Sequence, residues 1–396
     1  MGILPFSAQM MAGAGRELCQ VTCNGQIFEG WTDVSVKRSI QDAAAVFQLT
    51  VTEASDASGA VMGWQIRPGD PIQIRLGGVQ VIDGYVDVRQ ASYDAQSHGV
   101  EIAGRSRTAD AVEAAAVTET GRPAGPFAGY GLDEIARALL DPLSIGLSVL
   151  GDIGAAFPMV TVQVGESVFE VIERLARLRG FRVTDDAHGN LVLADRKGAA
   201  DDAPGLVEGV NILRANATMD VSALSSELYV YGQTTGSDAA SGADVAGQSA
   251  QVSNDRMPRP RPKVIVLEHP GGKEDMKSRA DREIAQQAAE QARIQIMVQG
   301  WQTASGDLWA PGGAVKLTSP MLLIDRIMAI AAVEFTQNDQ DGTMTTLDLI
   351  APEALETMAP GTDAPAPDGE GEGDEGDGEY ETAAVDWNIR PAGAAA

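Results

Sequence analysis

The stretch that decides the fold is Trp64-Gln-Ile-Arg-Pro68-Gly69-Asp70-Pro-Ile72-Gln-Ile74, because a second version of it occurs near the other end of the chain. The second version reads Trp309-Ala-Pro311-Gly312-Gly313-Ala-Val315-Lys-Leu317. In both versions a Pro-Gly turn leads into a segment in which apolar and polar residues alternate, the pattern of a half-buried strand. The two stretches predict two versions of one small β-barrel in a single chain.

The agreement continues downstream at constant spacing. Asp83-Gly84-Tyr-Val-Asp-Val precedes a polar turn that closes at Gly99, and Asp325-Arg-Ile-Met-Ala-Ile precedes one that closes at Gly342. Each of these turn glycines follows the proline of its own stretch by 31 residues. The alternative is that Pro-Gly turns and hairpins recur by chance in a β protein. The repeat signature comprises Trp64, Pro68, Gly69, Asp70, Gly84, Gly99, Trp309, Pro311, Gly312, Gly313 and Gly342.

The residues around the signature predict two barrels with extra parts. Residues 17–110 contain five or six alternating segments, including a hairpin at Gly77-Gly78, and form the first barrel. Residues 206–355 form the second. Inside it, the Gly-, Ser- and Pro-rich stretch 232–262 is predicted to be a loop, and residues 278–293 are predicted to be a helix.

Residues 111–205 between the barrels predict a small α/β insert. Apolar residues recur with helical spacing in 132–140 and again in 168–178. Ser167 with Glu170 matches the capping-box pattern at the start of the second helix. The segment 181–193 then predicts a β-hairpin. The fold class is therefore β-rich α+β.

The charge of the chain is strongly negative and partly local. The formal net charge is -27, and residues 361–396 contribute ten Asp/Glu against one Arg. Segment 1–16 is predicted to be an N-terminal extension, and 356–396 is predicted to be a disordered acidic tail, since a Gly/Asp/Glu sequence cannot bury enough apolar surface to order itself. The acidity of the rest argues against a nucleic-acid phosphate ligand.

Candidate chemistry is sparse. The only two cysteines, Cys19 and Cys23, are too few for a zinc site by themselves, and they are either reduced thiols or a local or intersubunit disulfide. Three histidines, at 98, 188 and 269, have no nucleophile motif beside them. Adjacent acids such as Asp185-Asp186 are expected to be solvated loop charges. No apolar run is long enough to span a membrane, and no secretory signal is recognisable. The sequence therefore predicts no catalytic, metal or cofactor site.

Several motifs together resemble one protein family. In the first barrel they are Asp33-Val-Ser-Val-Lys-Arg-Ser-Ile with Phe47-Gln-Leu-Thr-Val, Arg67-Pro-Gly-Asp-Pro with Asp83-Gly-Tyr-Val-Asp, and Gly104-Arg-Ser-Arg-Thr-Ala-Asp110. In the second they are Gly300-Trp301, Trp309-Ala-Pro-Gly and Leu347-Asp-Leu-Ile-Ala-Pro-Glu353. By their order and spacing, these motifs resemble the baseplate hub proteins of Mu-like contractile phages. The likeness extends over about residues 17–355.

The resemblance implies a structural protein of the virion that is made in the host cytoplasm. Hub proteins of this kind form homotrimers whose two tail-tube-like barrels per chain make a pseudo-six-fold ring. That ring adapts the hexameric tail tube protein to the trimeric central spike protein, beside other baseplate or tape-measure proteins, and DNA passes through its lumen unbound. VgrG proteins of type VI secretion are similar but carry a fused spike, for which this sequence shows no repetitive β-helix after Glu353.

Two other functions stay open at this stage. One is a hub that also cleaves the cell wall, which needs two carboxylates flanking a cleft. The other is a glycan-binding, adhesin-like β protein. Neither has a recognisable segment of its own in the sequence.

Overall fold

A computed structural model describes residues 17–52, 66–94, 98–118, 120–195, 203–233, 246–254, 257–266 and 292–356, together with residues 276, 277, 279–281, 283, 284 and 287. Trp64, the N-terminal extension 1–16 and nearly all of the acidic tail lie outside the described residues.

The first tube unit, residues 17–106, contains seven strands among its described residues. They are β1 Cys19–Cys23, β2 Gln26–Phe28, β3 Asp33–Ser39, β4 Val46–Thr52, β5 Pro71–Leu76, β6 Val79–Tyr93 and β7 His98–Ser106. Their hydrogen-bonded order is β3-β4-β7-β6-β5-β1-β2. The predicted Gly77-Gly78 turn joins β5 to β6, and both glycines have positive φ, the region in which glycine has no steric penalty.

The α/β insert follows as a compact unit with its own core. Its elements are α1 Ala109–Glu113, α2 Leu132–Leu140, β8 Leu147–Leu150, α3 Val168–Leu178, β9 Phe181–Asp185 and β10 Leu191–Asp195, with a 3-10 turn at Asp141–Leu143. The predicted capping box is confirmed. The Glu170 amide donates to Ser167 Oγ over 3.2 Å, and the Ser167 amide donates to Glu170 Oε2 over 2.7 Å. The predicted hairpin is β9–β10.

The second tube unit repeats the strand order of the first. Its strands are β11 Gly205–Val207, β12 Arg214–Met219, β16 Ala292–Gln299, β17 Ala314–Ser319, β18 Ile324–Asn338 and β19 Gly342–Ile350, followed by a 3-10 turn at Pro352–Glu356. The order β12-β16-β19-β18-β17-β11 matches β3-β4-β7-β6-β5-β1. One difference is that β11 is parallel to β17, whereas β1 is antiparallel to β5.

The prediction of a loop over 232–262 was wrong for residues 246–253, which form a strand, and its parts at 234–245 and 255–256 lie outside the described residues. Three strands, β13 Glu227–Gln233, β14 Ala246–Ser253 and β15 Pro262–Val266, form a separate small sheet that interrupts the second tube unit between β12 and β16. The composition misled because the polar strand β14 is held by its backbone pairing with β13 and needs few apolar side chains. The predicted helix 278–293 is also corrected. Described residues from 276 to 287 are helical, but β16 already begins at Ala292, where alternation replaces the helical stripe.

The two tube units are parts of one sheet. Strand β18 of the second unit pairs with β3 of the first, so that a 13-stranded sheet runs through both. Alternate side chains of this sheet form one core cluster that includes Phe47, Trp301 and Phe335. The fold is therefore β-rich α+β, as predicted, with two similar tube-like units.

Candidate assembly interface

The Pro-Gly turns of the two units have the same backbone bonds. The Gly69 amide donates to the Val86 carbonyl over 2.7 Å, and the Gly312 amide donates to the Ile330 carbonyl over 2.8 Å. The return bonds also match, since the Val86 amide donates to the carbonyl of Asp70 and the Ile330 amide to that of Gly313. Both turn glycines have positive φ, 88° and 81°. Proline followed by such a glycine is typical of a type II turn.

The other residues of the repeat signature do not occupy matching positions in the two units. The buried side chain two residues before Pro311 is Trp309, and the one two residues before Pro68 is Ile66. Gly84 is needed where β6 meets β7, because a Cβ there would lie 1.9 Å from the Arg105 carbonyl oxygen. Gly99 lies inside β7 opposite Thr52, whereas Gly342 is the first residue of β19.

The long strands β6 and β18 carry a bulge at the same place. The register of β6 with β7 shifts between Val86 and Val88, and that of β18 with β19 shifts between Ile330 and Ala332. A bulge bends its strand, and in β18 the part before the bulge pairs with β17 whereas the part after it pairs with β3. In β6 the pairing with β5 likewise ends before the bulge. Residues of the two units can therefore be matched by counting from the bulge.

The junction between the units uses the second part of β18. Seven residue pairs join it to β3, from Ala332 opposite Ser39 to Asn338 opposite Asp33. Phe335 and Val36 face each other in the core, and on the opposite face Ser35 Oγ donates to Glu334 Oε1 over 3.1 Å. The junction is therefore an ordinary sheet pairing with a buried and a polar side.

The sheet has one continuous polar face. On the strands from β16 through β19, β18, β3 and β4 to β7, most residues between core positions carry amide, hydroxyl or charged groups, and Met297 and Met344 are among the exceptions. Gln48 donates to Glu101 over 2.7 Å, and Gln295 donates to Asp348 over 3.1 Å. Carboxylates on this face include Asp33, Glu101, Glu334 and Asp348, and cations include Lys37 and Arg293. The face is mixed in charge and crosses both units without a break.

A buried carboxylate, that of Asp185, joins the insert to the first unit. Asp185, at the end of β9, is 6% exposed, accepts a hydrogen bond from the Ala45 amide over 3.0 Å and lies 3.9 Å from Arg38. Burial raises the pKa of Asp185, and the charge of Arg38 opposes this only in part. The expectation of a solvated loop charge was therefore wrong for Asp185. Its alternation with Phe181 and Val183 was the available signal that it faces a core.

Residues of the motifs that resemble the hub family make ion pairs close to Asp185. Asp83 accepts from Arg107 Nε over 2.6 Å and from Gln73 over 2.7 Å. Arg105 pairs with Asp87 over 2.6 Å and with Glu113 over 2.7 Å. These contacts join β6, β7 and α1, which explains why acids and arginines alternate in the two motifs.

Among the described residues, the other candidate chemistry is that of the two cysteines, and His269 lies outside the described residues. Both cysteines are free and buried on the core side of β1, and burial raises the pKa of the Cys19 thiol to about 12. Thiolates are the reactive form, so such a cysteine is a poor nucleophile. Within the described ranges there is no cluster of three or more metal-binding side chains. Over the same part of the chain, no helix is long and apolar enough to cross a membrane.

The duplicated unit, the in-chain junction and the polar face agree with the class of protein that the sequence motifs resemble, the structural components of phage tails and baseplates. Three family models match in order: "Mu phage baseplate assembly protein GpP-like, N-terminal" over residues 19–106, "Baseplate hub protein gp44-like, second domain" over 108–195, and "Mu phage baseplate assembly protein GpP, fourth domain" over 273–358. The small sheet β13–β15 lies between the second and third of these matches.

Individual relatives agree with the family models. The baseplate hub protein gp44 of Escherichia phage Mu is 31% identical over 339 residues, which cover 82% of this chain and 86% of that protein. The 43 kDa tail protein of prophage MuSo2 from Shewanella oneidensis has a TM-score of 0.75 at 26% identity, over 86% of this chain and 100% of that one. A component of the type VI secretion system of E. coli shares the fold alone, with a TM-score of 0.51 at 12% identity, over 88% and 80% of the two chains. The chain belongs to the Mu-like baseplate hub protein family.

Proposed function

We propose that this hub protein is a homotrimer that adapts a six-fold tail tube to a three-fold central spike. The observation that carries the proposal is the duplication, because both tube units have the same strand order, Pro-Gly turn and strand bulge. Three such chains bring together six nearly equivalent units, whereas each chain-specific feature occurs three times. Closed symmetry is the usual outcome of association between identical chains.

The in-chain junction supports a ring rather than a loose cluster. Units that pair side by side through β18 and β3 extend one sheet in one direction. A sheet that continues around a closed path has no exposed edge, which is the arrangement that best avoids uncontrolled strand addition. Tail tube protein on one side and spike protein on the other are the proposed partners, with other baseplate or tape-measure proteins nearby.

The polar face is the proposed lining of the lumen. Its carboxylates, including Glu101, Glu334 and Asp348, repel phosphates, and its cations are interspersed with acids. DNA can pass along such a surface without being held, since phosphate binding requires a concentrated Lys/Arg surface. The overall acidity of the chain agrees with this role.

The test is a reconstruction of purified tail particles that contain this chain. We expect three copies per particle, with residues 17–110 and the second tube unit alternating around one ring. Six copies per ring, or two units in unrelated positions, would contradict the adapter model even in a genuine tail component.

The rival function, a hub that cleaves the cell wall, is tested on the purified chain. The chain is applied to a gel that contains cell-wall substrate, and clearing of the substrate is compared with that by a known lytic enzyme. A structural hub gives no clearing, whereas reproducible clearing would establish an enzymatic activity for this chain.

A further inference from the structure

The two faces of the small sheet β13–β15 are in different surroundings. One face packs, through Leu228 and Val230, against the described helical residues that follow the sheet in the chain. On the other face Tyr231 is 42% exposed, Val264 59% and Val266 69%. Tyr231 lies opposite Val266 in the pairing of β13 with β15, and Val264 points to the same side, so the three side chains form one apolar patch. Large apolar side chains that are clustered and exposed indicate a surface that is covered in the functional protein.

The apolar patch borders an outer strand. The hydrogen-bonded order is β14-β13-β15, and among the described residues β15 pairs only with β13. In β15 proline occurs only at the first residue, and the one charged side chain, Lys263, pairs with Glu283 over 2.8 Å. An extended peptide can add to such an edge as one more strand and bring its own side chains onto the patch.

The start of β15 is basic although the chain is acidic. Segment 259–263 reads Arg-Pro-Arg-Pro-Lys, which is three cations in five residues, in a chain with a formal net charge of -27. Arg259 is exposed, and Arg261 donates to the Val221 carbonyl over 2.9 Å. The edge of β15 therefore presents cations at its beginning and the apolar patch at its end.

One segment of the acidic tail has the matching pattern. Val385-Asp-Trp387-Asn-Ile389 alternates apolar and polar side chains, as a strand does, and it contains the only Val, Trp and Ile of residues 361–396. The stretch directly before it, 368–381, holds eight acids and no cation. This part of the chain lies outside the described residues. The tail thus has acids first and apolar side chains second, in the same order as the complementary groups along β15.

We infer that residues 385–389 add to the outer edge of β15 in the same chain, as a fourth strand of the small sheet, and that this strand is parallel to β15. The orientation follows from charge, because only a parallel strand brings the acidic stretch 368–381 beside the cations of 259–263. β15 is itself parallel to β13, so the sheet continues in one direction. The added strand covers the apolar patch and closes an edge on which other chains could pair.

One register suits both faces of the added strand. With Trp387 beside Val264, Ile389 lies beside Val266, and both side chains cover the apolar patch. Asp386 then lies beside Lys263 on the opposite face, where the unlike charges attract. A shift by one residue would turn Trp387 to the packed face and leave the patch exposed.

The chain between the described residues and this segment is long enough for the contact. Residues 357–384 can span up to about 90 Å when extended, whereas a folded chain of this length has a radius of gyration of about 21 Å. A flexible connection of this kind keeps the segment near its own sheet at a high effective concentration. The same connection favours the chain's own tail over that of a second copy.

The contact is tested by paired cysteines in the purified full chain. The double variant Val266→Cys/Ile389→Cys places two thiols beside each other on one face. The matched control, Val266→Cys/Asn388→Cys, moves the second thiol by one residue to the opposite face and leaves its connection to the sheet almost equally long. Each protein is oxidised, treated with a maleimide and separated on a gel without reductant, and its intact mass counts the remaining thiols. The wild-type chain shows any background from the buried Cys19 and Cys23.

We expect the in-register variant to form about ten times more internal disulfide than the control, in a species that migrates as a monomer. Equal cross-linking of the two variants would overturn the pairing, because a tail that only collides with the sheet does not distinguish neighbouring residues. Covalent dimers in place of the internal disulfide would show that a second copy occupies the edge, and would also overturn the proposal.

A second measurement covers the case in which the cysteine variants fail to fold. Amide hydrogen exchange in residues 262–266 is compared between the wild-type chain and Trp387→Ser, which keeps the length and charge of the tail. We expect exchange in this strand to be about five times faster in the variant, and exchange in β5 of the first tube unit to be unchanged. Equal exchange of residues 262–266 in the two proteins would overturn the proposal.

Discussion

The first and second tube units share a framework and differ in what is attached to it. Both have the same strand order, a Pro-Gly turn bonded to the bulged long strand, and a polar face opposite the core. The first unit is followed by the α/β insert, whereas the second is interrupted between β12 and β16 by the sheet β13–β15. In the trimer proposed above, the shared framework occurs six times and each attached part occurs three times, so that one chain meets six-fold and three-fold neighbours.

The largest expected effect compares Phe335, which is buried at the in-chain junction, with Ala91 at the corresponding position of β6. Phe335 is 1% exposed at the in-chain junction, and Ala91, which is exposed, occupies the corresponding place in β6. Phe335→Ala should lower the free energy of unfolding by about 3–5 kcal/mol, because it removes buried surface and leaves a cavity. The measurement is urea denaturation of the unassembled chain.

The matched variant is Ala91→Ser, which should change the stability of the unassembled chain by less than about 0.5 kcal/mol. Equal losses for the two variants would show that the two positions are in similar surroundings. The comparison between the buried junction and the exposed part of β6 would then fail.

The next effect tests the equivalence of the two turns. Gly69→Ala and Gly312→Ala each force a side chain into positive φ, and each should cost about 1–2 kcal/mol. Near Gly69 an added Cβ meets nothing within 4 Å, and near Gly312 it has only ordinary contacts with Ile40 and Arg182, so strain dominates at both. Thermal denaturation of both variants gives the comparison.

Gly99→Ala is the control for these two variants. Gly99 lies in a regular strand, where alanine is at least as favourable as glycine, and its Cβ would only approach Ser92 to 3.6 Å. A loss for Gly99→Ala as large as for the turn glycines would point to a general intolerance of side chains rather than to turn geometry.

A smaller, pH-dependent effect concerns Asp185, which joins the insert to the first unit. Because burial raises the pKa of Asp185 above its unfolded value of 3.8, the protonated carboxyl stabilises the folded chain below that pH, and this contribution is lost as the pH rises through the folded pKa. Asp185→Asn keeps an acceptor for the Ala45 amide and cannot ionise. The variant should therefore gain stability relative to the wild type as the pH rises from acid to neutral.

Denaturation of both proteins across this pH range tests the sign. If the two stability curves stay parallel, the carboxyl of Asp185 has the same ionisation in the folded and unfolded chain. The insert would then be held to the first unit by its other contacts alone.

The smallest effect on folding is expected on the polar face. Glu101→Lys in the first unit and Glu334→Lys in the second replace half-buried carboxylates that each accept one side-chain hydrogen bond, so each should cost about 1 kcal/mol. Each places three new cations in a trimeric ring, and DNA ejection should slow with both because phosphates are attracted to them. The measurement is the rate of DNA release from intact particles.

A matched neutral variant, Glu101→Gln, separates charge from shape. It should leave the ejection rate close to that of the wild type. If both lysine variants also eject DNA normally, this face does not line the path of the DNA.

Local sequence patterns predicted much of this molecule. The Pro-Gly turns need a residue with positive φ, so their glycines are recognisable without a structure. The capping box of α3 and the alternation in β5 likewise depend on residues only a few positions apart. Composition was a poorer guide. Composition predicted a loop where β14 pairs through its backbone, and it predicted a solvent-exposed side chain for Asp185, which is buried.

By itself, the sequence determined that the chain holds two similar β units, because turn chemistry and period-two alternation are local. Only the tertiary structure decided which strands lie side by side. The pairing of β18 with β3 brings together Ser35 and Glu334, which are 299 positions apart. Every strand edge offers the same N–H and C=O groups, so alternation specifies which face is buried but not which neighbour completes the sheet. The in-chain junction is therefore a property of the folded chain.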